Sequence, residues 1–409
     1  MAKRKPKSLE KDTLRTSPAT YYSSRTGDRQ IYEDRAKNIA LYTLPYLIRE
    51  ESDSGTSTLK DATSQSYGGR LVNTLKAKMG MALLPPATSS FRYVPNQIEL
   101  QALTGGDKNN IAKIHQALSQ NISIINAEIE VQQIRTALFD VIAQLLVVGS
   151  TIVEKVKDGN KGIKQHTLQS FVADLDSQGN PLKMCFVETL KVLPEGIVIK
   201  ESADTYLLYT LIVKDDKGEG WTVTQEINGE MLPKIMKYKD YDDLPYRYLG
   251  WTWMNGDDYH RSYSEDYVKD LEQLNKLAKL LTDGAIISAK NIIFVNEQGG
   301  RTRKDEVANS VNGAVIDGVA TDVTTFKNEK NFDFQVPSER EIGIKRELAS
   351  AYLMNESVTR DAERVTAREI SFMARELESS SLAGMYSKMA LNWSKWLVHQ
   401  IMLEKKIQF

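Results

Sequence analysis

Asn355-Glu356-Ser357-Val358-Thr359-Arg360-Asp361-Ala362-Glu363-Arg364-Val365-Thr366-Ala367-Arg368-Glu369-Ile370 opens the stretch whose reading decides the fold. Thr366 and Glu369 stand at capping-box spacing, in which the hydroxyl accepts the N3 amide while the N3 carboxylate reaches back to the cap amide. Val365 and Ile370 hold the flanking staple positions. Apolar residues then recur at helical spacing: Ile370, Met373, Leu377, Met385, Met389, Trp393, Trp396 and Leu403, with Gln400 the one polar exception. The pattern predicts one long helix over 366–409, preceded by a polar loop over 355–365. The small residues Ser379, Ser380, Ser381, Ala383 and Gly384 at its middle admit close approach of a neighbouring helix, and Gly384 weakens it locally. A core helix with a soft spot accounts for the periodicity equally well.

Immediately before that loop, residues 337–354 carry Ile342, Leu348 and Leu353 and predict a helix returning along an earlier one. The earlier one opens at Ser262 and Glu265, again at capping-box spacing, and runs to about Lys290 with Val268, Leu271, Leu274, Ala278, Leu281 and Ala285 on one face. Its other face mixes signs through Asp266, Lys269, Asp270, Lys276 and Asp283, as a channel wall or a solvated surface does. Between the two helices lie Ile292-Ile293-Phe294-Val295, a polar tip at Gly299-Gly300-Arg301-Thr302-Arg303-Lys304, and short strands near 314–316 and 322–326.

Further toward the N-terminus the period changes from helix to strand. Thr151 to Lys157, Gln165 to Val172, Pro181 to Thr189, Tyr206 to Val213 and Trp221 to Glu226 are rich in β-branched and aromatic residues and are separated by Asp/Gly/Asn turns, which predicts an antiparallel meander. Tyr246, Tyr248, Trp251, Trp253 and Tyr259 follow; they suit a base-stacking platform or, more simply, core packing beside the meander. Helices are expected before it: one from Ile31 through Arg35 and Ile39, one with Leu71, Leu75, Met79 and Ala82, and two (or one bent) over Asn110 to Val148, with His115 as a core or boundary residue. Residues 1 to about 27, opening Lys3-Arg4-Lys5, read as a mobile arm. Helices on both sides of a strand block give the class α+β.

Composition narrows the function. The 409 residues suffice for a large core, with 41% hydrophobic and 26% charged residues and a formal charge of -1. Near neutrality argues against a protein that grips DNA through a strong basic stripe, and suits a conduit that must let it slide. No apolar run reaches the ~20 residues of a membrane span, so the expectation is a cytoplasmic product without membrane partners. Cys185, the single cysteine, alternates as a buried strand residue. There is no Walker A loop, no H-E-x-x-H and no G-x-S-x-G, and the four histidines show no metal-ligand spacing, so neither cofactor nor metal nor catalytic residue is expected. A DNA-processing enzyme with a carboxylate site, or another ring-forming structural protein, remains as the alternative.

The runs Glu363-Arg364-Val365-Thr366-Ala367-Arg368-Glu369-Ile370 and Ala374-Arg375-Glu376-Leu377-Glu378, following Met354-Asn355, resemble the head-to-tail connector, or portal, family of short-tailed bacteriophages. The resemblance covers most of the chain in order. It implies a 1–27 arm, a 28–261 wing of helices and β-meander, a 262–290 stem helix, a 291–336 clip, a 337–354 second stem helix, a 355–365 tunnel loop and a 366–409 long helix leading toward a crown that is missing here. It further implies a homo-oligomeric ring, a dodecamer, at one capsid vertex of the virion, assembled after synthesis in the host cytoplasm. Double-stranded DNA would pass through it past Arg360, Arg364 and Arg368. The clip, through Arg301, Arg303 and Lys304, would dock the large terminase subunit and later a tail adaptor, with capsid and scaffolding proteins around the ring. Arg368 sits at the second helical position, unfavourable for the helix dipole, which hints at another demand on it.

Overall fold

The structure is a computed structural model that describes residues 17–48, 63–86, 89–95, 97–105, 107–156, 162–193, 204–215, 220–289, 292–295, 305, 309–311, 315, 323–326, 335–354, 367–380 and 382–407. Five helices come first: α1 (Pro18–Tyr42), α2 (Tyr67–Leu83), α3 (Gln97–Thr104), α4 (Lys108–Val131) and α5 (Ile134–Val147). α4 and α5 are separate helices, broken where Gln133 adopts a left-handed φ of 52°. Leu71, Leu75 and Met79 of α2 meet Leu138, Val141, Ile142 and Leu145 of α5 in the main core, all of them fully buried.

α1 begins at Pro18 rather than after residue 27. Ser17 caps it, accepting from the Thr20 amide at 3.4 Å, and Pro18 takes the first helical position, where its missing N–H costs nothing. The hydroxyls of Ser23, Ser24 and Thr26 fold back onto carbonyls three or four residues earlier. The buried face is Tyr21, Arg29, Glu33, Ala36 and Ala40, while Ile31 is 61% exposed. Arg29 donates to the Phe171 carbonyl (3.1 Å) and pairs with Glu33 (3.6 Å), which accepts from Gln169 (3.1 Å), so a charged face finds partners inside the protein.

Two antiparallel sheets follow instead of one meander. β1 (Ser150–Lys155) lies between β2 (Ile163–His166) and β9 (Tyr246–Gly250); β3 (Phe171–Leu175), β4 (Pro181–Leu190), β5 (Tyr206–Lys214), β6 (Trp221–Ile227) and β7 (Glu230–Met231) form the second sheet, with β8 (Met236–Tyr238) beside β6. The chain enters β1 through Gly149, whose φ of +95° and backbone neighbours at His260 to Ser262, 2.5–2.7 Å from any added Cβ, exclude other residues. Tyr246, Tyr248, Trp251 and Tyr259 are buried, so they are core and not a stacking platform. Cys185 is buried on β4, and burial pushes its thiol pKa up, away from nucleophilic use.

The stem region departs from its expected start. Ser262 makes no cap; a 3₁₀ turn (Tyr263–Tyr267) precedes α6 (Val268–Ala289), and Glu265 instead accepts from Arg261 at 3.2 Å. α6 packs against α7 (Gln335–Ala351) through Leu271, Leu274, Ile344 and Leu348. Other apolar side chains of the pair face outward: Leu280 and Ile286 on α6 and Ile342 on α7 are about half exposed, contrary to the core role expected of Ile342. β10 (Ile292–Val295) pairs antiparallel with β11 (Val323–Phe326).

The C-terminal stretch is interrupted. α8 (Ala367–Ser379) ends where Ser380 donates to the Leu377 carbonyl and accepts from the Leu382 amide, a local hydrogen-bonding alternative to helix. α9 (Ala383–Met389), a π turn (Ala390–Ser394) and α10 (Lys395–Lys405) complete it. Trp393 and Trp396 are fully buried, whereas Leu403 is 50% exposed. Gln400 is buried with its amide on the carbonyls of Asp242 (2.7 Å) and Leu244 (3.0 Å), which explains one polar residue in an apolar stripe. His115 is exposed on α4 rather than at the core.

Candidate functional site

The described residues frame the loop over 355–365 on both sides. On the incoming side α7 closes in a Schellman motif: the Met354 amide donates to the Ala349 carbonyl (2.7 Å) and Leu353 to Ser350 (3.2 Å). Leu353 takes the left-handed φ of 53° usually left to glycine, a conformation held only where the surroundings determine it. Tyr352 is buried against Tyr263 and Tyr267, its hydroxyl donating to Ser264 at 2.9 Å, while Tyr263 donates to the Ala351 carbonyl at 2.7 Å. On the outgoing side α8 starts at Ala367, next to the residue read as its cap.

One side chain joins the two sides. Lys78 of α2, 4% exposed, donates from Nζ to the Leu353 carbonyl at 2.6 Å and to Glu376 Oε2 of α8 at 2.9 Å. A buried ammonium must be satisfied, and here the partners that satisfy it belong to the elements before and after the loop. The end of α7 and the body of α8, in which Glu376 is the tenth residue, are thereby both tied to α2. Sequence spacing gave no sign of Lys78, because its partners lie 275 and 298 residues away.

A second set of contacts ties the α6–α7 pair to the rest. Tyr67 donates to the Lys345 carbonyl (3.0 Å), and the Asn275 amide oxygen accepts from the Ser64 amide (2.7 Å). On the outer face of α6, Lys269 and Lys276 both bond Glu272, whose carboxyl is held below its usual range by Lys276 and Lys269. That face therefore carries both signs side by side rather than a basic stripe.

Of the residues expected to act, Arg360, Arg364, Arg301, Arg303 and Lys304 lie outside the described residues, and Arg368 is placed only as the second residue of α8. Among the described residues no helix is long and apolar enough to cross a membrane.

The family described as bacteriophage head to tail connecting protein matches residues 16–403. The chain is 31% identical over 378 residues to a protein named portal protein from Enterobacteria phage T3, covering 90% of this chain and 70% of that one. It is likewise 31% identical to the portal protein of Escherichia phage T7, over 90% of this chain and 70% of that one. The portal protein of Enterobacteria phage SP6 is 29% identical, with 89% and 71% covered. Among solved structures, the neck of an empty gene transfer agent particle aligns over 83% of this chain and 79% of its own, at 12% identity and a TM-score of 0.38.

Proposed function

The chain belongs to the bacteriophage head to tail connecting protein family, and on that footing we propose that it is a portal subunit, which closes into a ring at one capsid vertex and passes double-stranded DNA during packaging and ejection. The match to named portal proteins along nine-tenths of the chain carries the reading. Equivalent subunits meeting through unlike surfaces close such a ring, and twelve is the number the resemblance implies. In this reading α6 and α7 are the stem, the β10–β11 region with Arg301, Arg303 and Lys304 is the clip that docks the large terminase subunit and then a tail adaptor, and residues 18–261 form the wing. The role is structural rather than catalytic, and purified protein with magnesium is expected to leave DNA uncut.

The loop over 355–365 carries the mechanism. Arginines touching phosphate in a translocating channel must do so transiently, since contacts of a few kcal/mol repeated around a ring would hold the duplex in place. Tying the end of α7 and the body of α8 to α2 through Lys78 supports this division of labour: the helices stay packed while the loop responds to DNA. Deleting Arg360 to Glu363 is expected to leave rings intact and mainly to impair retention of packaged DNA, with a smaller effect on its loading. Particles that retain DNA normally with this deletion would make these arginines ordinary surface charges.

A further inference from the structure

His166 on β2 lies between two carboxylates, Glu154 on β1 and Glu188 on β4. Its side chain is 3% exposed, and its ring stacks on Phe186 with centroids 3.9 Å apart. Nε2 is 3.1 Å from Glu154 Oε2, and Nδ1 is 3.5 Å from Glu188 Oε1. The ligating atoms of the three side chains all fall within 4.8 Å of one another, the one such group of three among the described residues.

Two features of this cluster call for a cation. Glu188 Oε1 is shut off from solvent, and its close cationic partner is the Lys164 ammonium 2.6 Å away. Lys164 is also 47% exposed, so two carboxylates face a nearly buried imidazole with one partly solvated positive charge to balance them. Buried charge left uncompensated is costly. Tyr246 also faces Glu154; burial first, and that carboxylate second, raise its phenol pKa, so it stays a neutral donor toward the carboxylate.

We propose that Glu154, His166 and Glu188 bind a divalent transition-metal ion of the zinc class, one imidazole and two carboxylates serving as ligands. That donor set suits zinc, with bonds of ~2.0–2.2 Å, which places neighbouring tetrahedral ligands roughly 3.3–3.6 Å apart. Nε2 and Glu154 Oε2, 3.1 Å apart, already stand near that spacing, and Glu188, which faces Nδ1 at 3.5 Å, swings to the Nε2 edge of the ring to complete the site. β1 and β2 belong to the three-stranded sheet and β4 to the six-stranded one, so the ion would join the two sheets. Lys164 competes with the ion for Glu188 and turns to solvent when it binds. No sequence motif announces the site, because its residues come from three strands brought together by pairing.

The test uses the full chain without a purification tag, stripped with a chelator and titrated with zinc chloride by calorimetry, with cobalt(II) absorption reporting coordination. Saturable binding of about one ion per chain, accompanied by a rise in Tm, is expected. The Glu154→Gln/Glu188→Gln double variant, which keeps shape and hydrogen bonding, should weaken binding by at least about 10- to 100-fold, the loss typical even of outer-shell changes. It should also abolish the Tm rise. Lys164→Met should tighten binding, a result that a merely structural cluster would not give. Absence of saturable binding, or equal binding by the double glutamine variant with circular dichroism unchanged, would overturn the proposal.

Discussion

Replacing Lys78 with Met keeps the length and apolar stem of the side chain but removes the ammonium that donates to the Leu353 carbonyl at 2.6 Å and to Glu376 at 2.9 Å. Lys78 is 4% exposed and Glu376 16%, so the near-zero value of surface ion pairs does not apply. Removing one partner of a buried pair costs ~3–5 kcal/mol; the solvent contact that Glu376 keeps lowers this to roughly 2–4 kcal/mol. The loss falls on the αL turn at Leu353, so it should be read locally. Hydrogen exchange at the amides of Tyr352, Leu353 and Met354, which bond Leu348, Ser350 and Ala349, should accelerate about 30- to 1,000-fold, at a factor of ten per ~1.4 kcal/mol. Combined with Glu376→Gln, the double variant should cost clearly less than the sum of the single ones, by about 1 kcal/mol or more. Exchange within about threefold of the parent protein would show that Lys78 does not hold the loop's frame.

Gly149→Ala should destabilise by roughly 2–5 kcal/mol in urea unfolding, since a φ of +95° and a Cβ 2.5 Å from the His260 carbonyl add strain to overpacking. His260 is pushed down to about 3 by burial, and further by the Lys388 ammonium, against an unfolded value near 6.5. Below that value the unfolded chain takes up a proton that the folded chain refuses, so stability falls by ~1.4 kcal/mol per pH unit as pH drops from about 6.5 toward 3. His260→Asn should flatten that slope between pH 6.5 and 5; parallel curves would refute the assignment.

Elements with apolar faces were legible in advance. Leu71, Leu75 and Met79 at helical spacing, the β-branched runs, and Tyr246 to Tyr259 all went where hydrophobicity and period place them. What stayed hidden was hydrogen bonding between distant residues. The middle of α1 buries Arg29 and Glu33, which by type belong on a surface, and their partners at Phe171 and Gln169 make that possible. The Ser262 cap failed because the chain tightens into a 3₁₀ turn around the Tyr263, Tyr267 and Tyr352 cluster. The long C-terminal helix broke at Ser380 because a serine hydroxyl serves local backbone groups. Period alone also cannot say how far a partner extends, so Leu403 lay on the right stripe and still ended up exposed, while Ile342 falls on the far side of α7 from Ile344 and Leu348. For the functional region, the resemblance pointed to 355–365, but the lysine that frames it came only with the tertiary structure.

Ring formation is the claim on which the portal reading rests most directly. Electron microscopy of the purified chain at micromolar concentration, with native mass measurement alongside, should show closed rings with a central channel and a mass many times the 46.1 kDa of one chain. A homogeneous monomer across that range, with no ring in any field, would contradict it.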